Sequence, residues 1–293
     1  MIEQPRWGRV SAQSFKGAWQ GVGGRLQDLN VSLEGKSGRV EASAELDRDG
    51  ARLKSLKLFH DSEEQLSLAG PATIGWRNGW SLKDFALCGN AGSLSGEFSG
   101  GESGRVRVSV KDFADAWWSD FVSREVFHGR IGNLEIQGRW DHGPVTFVLE
   151  GRADLPLDEH RSAEIVVSAS ADEGGVVVSR CDVSAEGKVM GTLKGTLPVR
   201  LFAHPGWKVV SGSGQKLSLD IDVDRNAFFW KQVGELAGVL IEDPRIAIHV
   251  AGTWGAPRGK ATVEVDRIAV PAREGRGSWP AIENLKAHFM GDG

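Results

Sequence analysis

Apolar and polar residues alternate in short runs along much of this chain. Val40, Ala42, Ala44 and Leu46 interleave with Arg39, Glu41, Ser43 and Glu45, and Val106, Val108 and Val110 interleave with Arg105, Arg107 and Ser109. The same rhythm returns in Leu217, Leu219, Ile221 and Val223, then in Ile246, Ile248 and Val250, and again in Val263 and Val265. A period of two places every second side chain on one face of a strand, so each run predicts a strand with one apolar and one wet face. The runs are bounded by glycine or charged residues, as strands ending in turns are. Parallel sheets covered by helices would instead read as unbroken apolar stretches, so the pattern predicts an all-β, antiparallel fold.

Two stretches depart from this rhythm and predict short amphipathic helices. Between Asp112 and Phe127, Phe113, Trp117, Phe121 and Val122 recur at helical spacing opposite Asp115, Ser119, Asp120 and Arg124, with Asp112 placed as an N-cap. Between Asp224 and Leu240, Phe229, Val233, Ala237 and Leu240 oppose Arg225, Lys231, Gln232 and Glu235. Each is followed by a strand and a turn containing tryptophan, at Trp140 and at Trp254, and preceded by Gly79-Trp80 or Gly206-Trp207. These matching contexts predict a strand-helix-strand unit used twice. The expected organisation is a β-rich segment over 1–65, a first repeat over 66–190, a second over 191–271, and a final strand or tail over 272–293. The helices are expected to cover sheet edges.

Composition narrows the function classes. The 35 basic and 39 acidic side chains leave a formal charge of -4 without a concentrated basic stripe, which argues against nucleic acid as a partner. Hydrophobic residues make up 40% of the chain, enough to bury a core. No stretch of about 18 apolar residues exists to span a membrane as a helix. Cys88 and Cys181 stand far apart in sequence, and both a long-range disulfide and two separate thiols remain open.

No catalytic or metal-binding motif emerges. The seven histidines have no ligand spacing. Asp220-Ile221-Asp222-Val223-Asp224 is followed by Arg225 where a calcium loop needs glycine, and its isoleucine and valine continue a strand. Gly212-Ser213-Gly214 lacks the third glycine of a dinucleotide fingerprint and leads into a strand. No serine-nucleophile elbow occurs. The expectation is a non-enzymatic protein without metal or cofactor.

Gly252-Thr253-Trp254-Gly255-Ala256-Pro257-Arg258-Gly259-Lys260-Ala261, following Ile246 to Ala251, resembles the recurrent strand-Gly-Thr-x-x-x-Pro-x-x-Gly-strand signature of TamB, the translocation and assembly module subunit, and the wider AsmA-like group. Gly195-Thr196-Leu197-Pro198-Val199 resembles that family's strand motif before a helix, and Gly138 to Pro144 is a weaker copy with Arg139 in place of threonine. The resemblance covers most of Gly17 to Pro271. It implies an elongated, curled antiparallel sheet, the β-taco, whose apolar trough shields phospholipid acyl chains on their way to the outer membrane. It implies an internal segment of a longer periplasmic protein, anchored in the inner membrane and reaching the outer membrane and an outer-membrane β-barrel partner through segments beyond this chain. Val106, Val108, Val110, Leu217, Leu219, Ile221, Val223, Ile246, Ile248 and Val250 would then line the trough. Two other readings of the same strands stay open: a closed β-sandwich, or a structural or adhesive β-solenoid of a surface protein.

Overall fold

The computed structural model describes residues 2–3, 6–7, 10–22, 25–77, 79–114, 129–157, 162–212, 214–225, 230, 239–269 and 281–292. The described residues are overwhelmingly in antiparallel strands. They fall into two compact units, Met1–Leu155 with Phe202–Lys208, and Pro156–Leu201 with Val209–Gly293.

The first unit is a meander. Its opening strands are short: β1 (Ile2–Glu3), β2 (Arg6–Trp7) and β3 (Val10–Ser11). They are followed by β4 (Ser14–Val22), β5 (Arg25–Glu34), β6 (Gly38–Leu46), β7 (Gly50–His60), β8 (Glu63–Leu68) and β9 (Ala72–Gly75). The run continues through β10 (Ser81–Gly89), β11 (Gly92–Ser99), β12 (Ser103–Ala114), β13 (Arg130–Asp141) and β14 (Thr146–Pro156). From β4 onward consecutive strands pair, with β8 and β9 sharing the gap between β7 and β10. Directly opposed residues share a face, so Phe15, Leu33, Val40 and Leu58 form one apolar row across β4 to β7.

The second unit contains β15 (Ser162–Asp172), β16 (Gly175–Ala185) and β17 (Lys188–Leu197). β18 (Val199–Phe202) and β19 (Lys208–Ser211) pair apart from the main sheet. The unit continues with β20 (Lys216–Val223), β21 (Leu240–Glu242), β22 (Arg245–Thr253), β23 (Ala256–Ala269) and β24 (Ile282–Asp292). β17, β20, β22, β23 and β24 pair in that order, and β21 adds to β23.

The expected helices are corrected at their described ends. Asp112 does not cap a helix. It lies in β12 with a left-handed φ of 51°, a conformation that aspartate tolerates better than most residues. Phe113 pairs with Ile131 as a strand residue. The left-handed residue explains the misreading: it breaks the alternation after Val110 and returns Phe113 to the apolar face, which mimics helical spacing in the sequence. Asp84 works alike in β10, where a bulge between Leu82 and Phe85 leaves both on the apolar face. The rest of the first expected helix, from 115 onward, lies outside the described residues. In the second, Trp230 has helical backbone and Leu240 begins β21, while 226–229 and 231–238 lie outside the described residues.

In the first unit the apolar face carries a buried core. Leu58, Leu66, Leu87, Ala91, Val110 and Phe113 pack into one buried cluster, joined by half-buried Val40, Leu56, Leu68 and Leu134. Leu58 opposes Leu66, and Leu87 opposes Leu94, which in turn opposes Val110, so the cluster follows the strand order across the face. Leu66 is fully buried, so Leu66→Ala is expected to destabilise the protein by about 2–5 kcal/mol, read from chemical denaturation.

Candidate functional site

In the second unit, register gathers the predicted apolar residues into rows that cross five adjacent strands. Leu193, Ile221, Ile248, Ala261 and Phe289 form one row. Gly191, Val223, Ile246, Val263 and Ala287 form the second, and Gly195, Leu219, Val250, Gly259 and Gly291 the third. No charged residue stands in any of the three. Leu217 extends the face and is buried, whereas Leu219, Ile221, Val223, Ile246, Ile248 and Val250 are only half-buried, and Phe289 is exposed. A sheet whose apolar face met a second sheet would bury these residues as a core does.

The opposite face of the same strands is polar. Asp220, His249 and Lys260 follow one another across β20, β22 and β23. His249 Nδ1 lies 2.9 Å from Asp220 Oδ1, and Thr262 Oγ1 lies 3.3 Å from His288 Nδ1. One residue of register separates the two faces.

In the first unit, Val106, Val108 and Val110 also share one face. Val106 lies opposite Phe98 and Gly138, Val108 opposite Gly96 and Ile136, and Val110 opposite Leu94 and Leu134. Their surroundings differ. Val110 belongs to the packed cluster and Val108 touches it, while Val106 is half-buried beyond it. The ten candidate residues therefore form two groups, three in the first unit and seven in the second.

Sequence reasoning missed Leu193, Ala261, Ala287 and Phe289 as members of the face. Leu193 stands between Gly191 and Gly195, so its strand shows no apolar alternation. In β24, Leu285, Ala287 and Phe289 do alternate with Lys286 and His288, but Met290 blurs the pattern. The two tryptophans that marked the proposed repeat occupy different settings. Trp140 is 5% exposed, while Trp254, after β22, is 47% exposed.

Charge is carried by exposed ion pairs. A hydrogen bond from Lys57, with Nζ 2.7 Å from a Glu64 oxygen, lowers the pKa of Glu64, and the same bond raises that of Lys57. Arg225 does the same for Glu264 at 2.7 Å, and is itself raised. Ser14 and then Lys16 hold Glu34 low. Burial, aided by the neighbouring Asp182 charge, raises the pKa of the half-buried Cys181 thiol; Cys181 and Cys88 are both free. A depression of about 260 Å³ lies beside the Asp84 bulge, where Ser95, Glu97 and Arg107 contribute polar walls. Among the described residues no cluster of three or more metal-ligating side chains forms, and no helix is long and apolar enough to cross a membrane.

Comparisons with protein families, curated proteins and solved structures find no match.

The ion pairs fix a sign for pH dependence. Glu64 and Glu264 titrate below their unfolded values, so their contribution is present above the ordinary carboxylate range near pH 4 and is lost as pH falls through the lowered values. Lys57 and Arg225 are raised, so theirs is present at neutral pH and lost only as alkaline pH passes their folded values. Glu264→Gln is expected to flatten the acid limb of the stability profile slightly. High salt should shrink the difference between variant and wild type, because exposed pairs are screened. Thermal melts across an acid series check this.

Proposed function

We propose that the apolar face binds the acyl chains of phospholipids and shields them from water, as part of a non-enzymatic lipid-conducting protein of the bacterial envelope. The observation that carries this reading is the set of charge-free rows on the second unit, whose aliphatic side chains are only partly buried across five strands. Each methylene moved into water costs about 0.8 kcal/mol, so a sixteen-carbon tail costs on the order of 12 kcal/mol. A continuous apolar strip offsets most of that cost while a head group stays in solvent. A contiguous apolar strip left partly open to solvent marks an interaction site.

The reading agrees with what the resemblance to TamB and the AsmA-like group implies. On that proposal the chain is an internal, periplasmic part of an inner-membrane-anchored bridge that passes phospholipid toward the outer membrane, and an outer-membrane β-barrel protein is its partner. Register gives the face its selectivity for apolar matter, since the neighbouring residue on every strand points to the polar side.

Native mass spectrometry of the chain purified from bacteria is expected to show bound phospholipid. Ile221 and Ile248 oppose each other directly, so Ile221→Asp with Ile248→Asp should lower lipid co-purification while leaving the protein soluble. Wild-type protein free of lipid, or unchanged lipid in the double variant, would contradict the proposal.

A further inference from the structure

The first unit carries an aromatic end that the acyl-chain reading leaves unused. Trp140 ends the row that begins at Val106, because Gly104 lies opposite it on β12. A Cβ on Gly104 would fall 2.1 Å from the Trp140 ring, so only glycine leaves room for the indole there. The indole N–H donates to the Gly101 carbonyl at 3.0 Å, and the ring is 5% exposed. Phe98 lies 6.0 Å from it on one side and Trp207, of the same unit, 6.0 Å on another. The β9–β10 connection joins this end: Gly100 donates its N–H to the Trp80 carbonyl at 2.7 Å, and Trp76 and Trp80 stand 6.3 Å apart. Trp80 and Trp207 remain 65% and 60% exposed.

Polarity changes in order along these strands. The packed cluster around Val110 lies at one end, half-buried Val108 and Val106 follow, then the aromatic rings, then polar and charged side chains on the turns. Arg77 Nη1 meets Asp49 Oδ2 at 2.9 Å, and His142 stands 3.6 Å from Glu102 and 3.7 Å from Asp141. From Val108 to Gly104 the strand rises about 13 Å, against about 15 Å for one leaflet of a bilayer's hydrocarbon core. Tail, ester belt and zwitterionic head group follow one another in the same order and over a similar length. Indole is suited to that middle zone, having an apolar body and a polar edge. A sugar stacked on these rings would instead face an aliphatic surface that offers it no hydrogen bonds.

We infer that the exposed indoles of Trp80 and Trp207 hold the glycerol-ester belt of a diacyl phospholipid whose tails lie over Phe98, Val106 and Val108. This rests on the acyl-chain reading above and adds the orientation of the lipid. The full chain is incubated with phosphatidylcholine vesicles, unlabelled or labelled with a nitroxide at the head group, and separated from them by flotation. Lipid phosphate and tryptophan emission are then measured for wild type and for Trp80→Phe with Trp207→Phe. The expected result is head-group quenching in the wild type that is reduced in the double variant. Bound phosphate with no difference in quenching overturns this inference alone; absence of bound phosphate overturns it together with the acyl-chain reading. Quenching of the same two indoles by a soluble oligosaccharide, without lipid, would also overturn it in favour of a glycan.

Discussion

Strand register is the constraint on which the rest of this molecule depends. Side chains alternate with a period of two, so a slip of one residue would exchange Ile221 and Ile248 for Asp222 and His249 on the apolar face. The rows crossing β17, β20, β22, β23 and β24 stay free of charge only because five strands hold the same phase. Cross-strand contacts on the polar face, such as that between Asp220 and His249, reinforce the phase from the other side.

The two units use the same kind of face differently. In the first, Leu58, Leu66 and Val110 belong to a conventional buried cluster. In the second, the aliphatic rows remain only partly buried, a state that leaves some of their hydrophobic free energy unrealised unless something apolar covers them. That unrealised part is the physical reason to look for a ligand. Its aliphatic, charge-free character is the reason to choose an acyl chain.

Much of the fold was legible from alternation alone, because half-buried antiparallel strands write their faces directly into the sequence. Val106, Val108 and Val110, and the seven candidates from Leu217 to Val250, all share faces as their spacing implies. Reading failed where backbone conformation changes the phase. Asp112, with left-handed φ, shifts Phe113 onto the apolar face and turns a strand into an apparent helix start. It also failed where glycine stands in an apolar row, as at Gly191 and Gly195 around Leu193, since a residue without a side chain leaves no pattern. The aromatic end was invisible for a third reason: Phe98, Trp140 and Trp207 come from separate stretches of chain, and only folding brings their rings together.

The central claim is that one face of these strands, and not the other, meets lipid tails. A photoactivatable benzophenone side chain placed at position 248 or at position 249, in bacteria grown with radiolabelled phospholipid, tests it with two adjacent residues. The account predicts crosslinked lipid on the protein labelled at 248 and none at 249. Equal labelling at both positions, or none at 248, would contradict it.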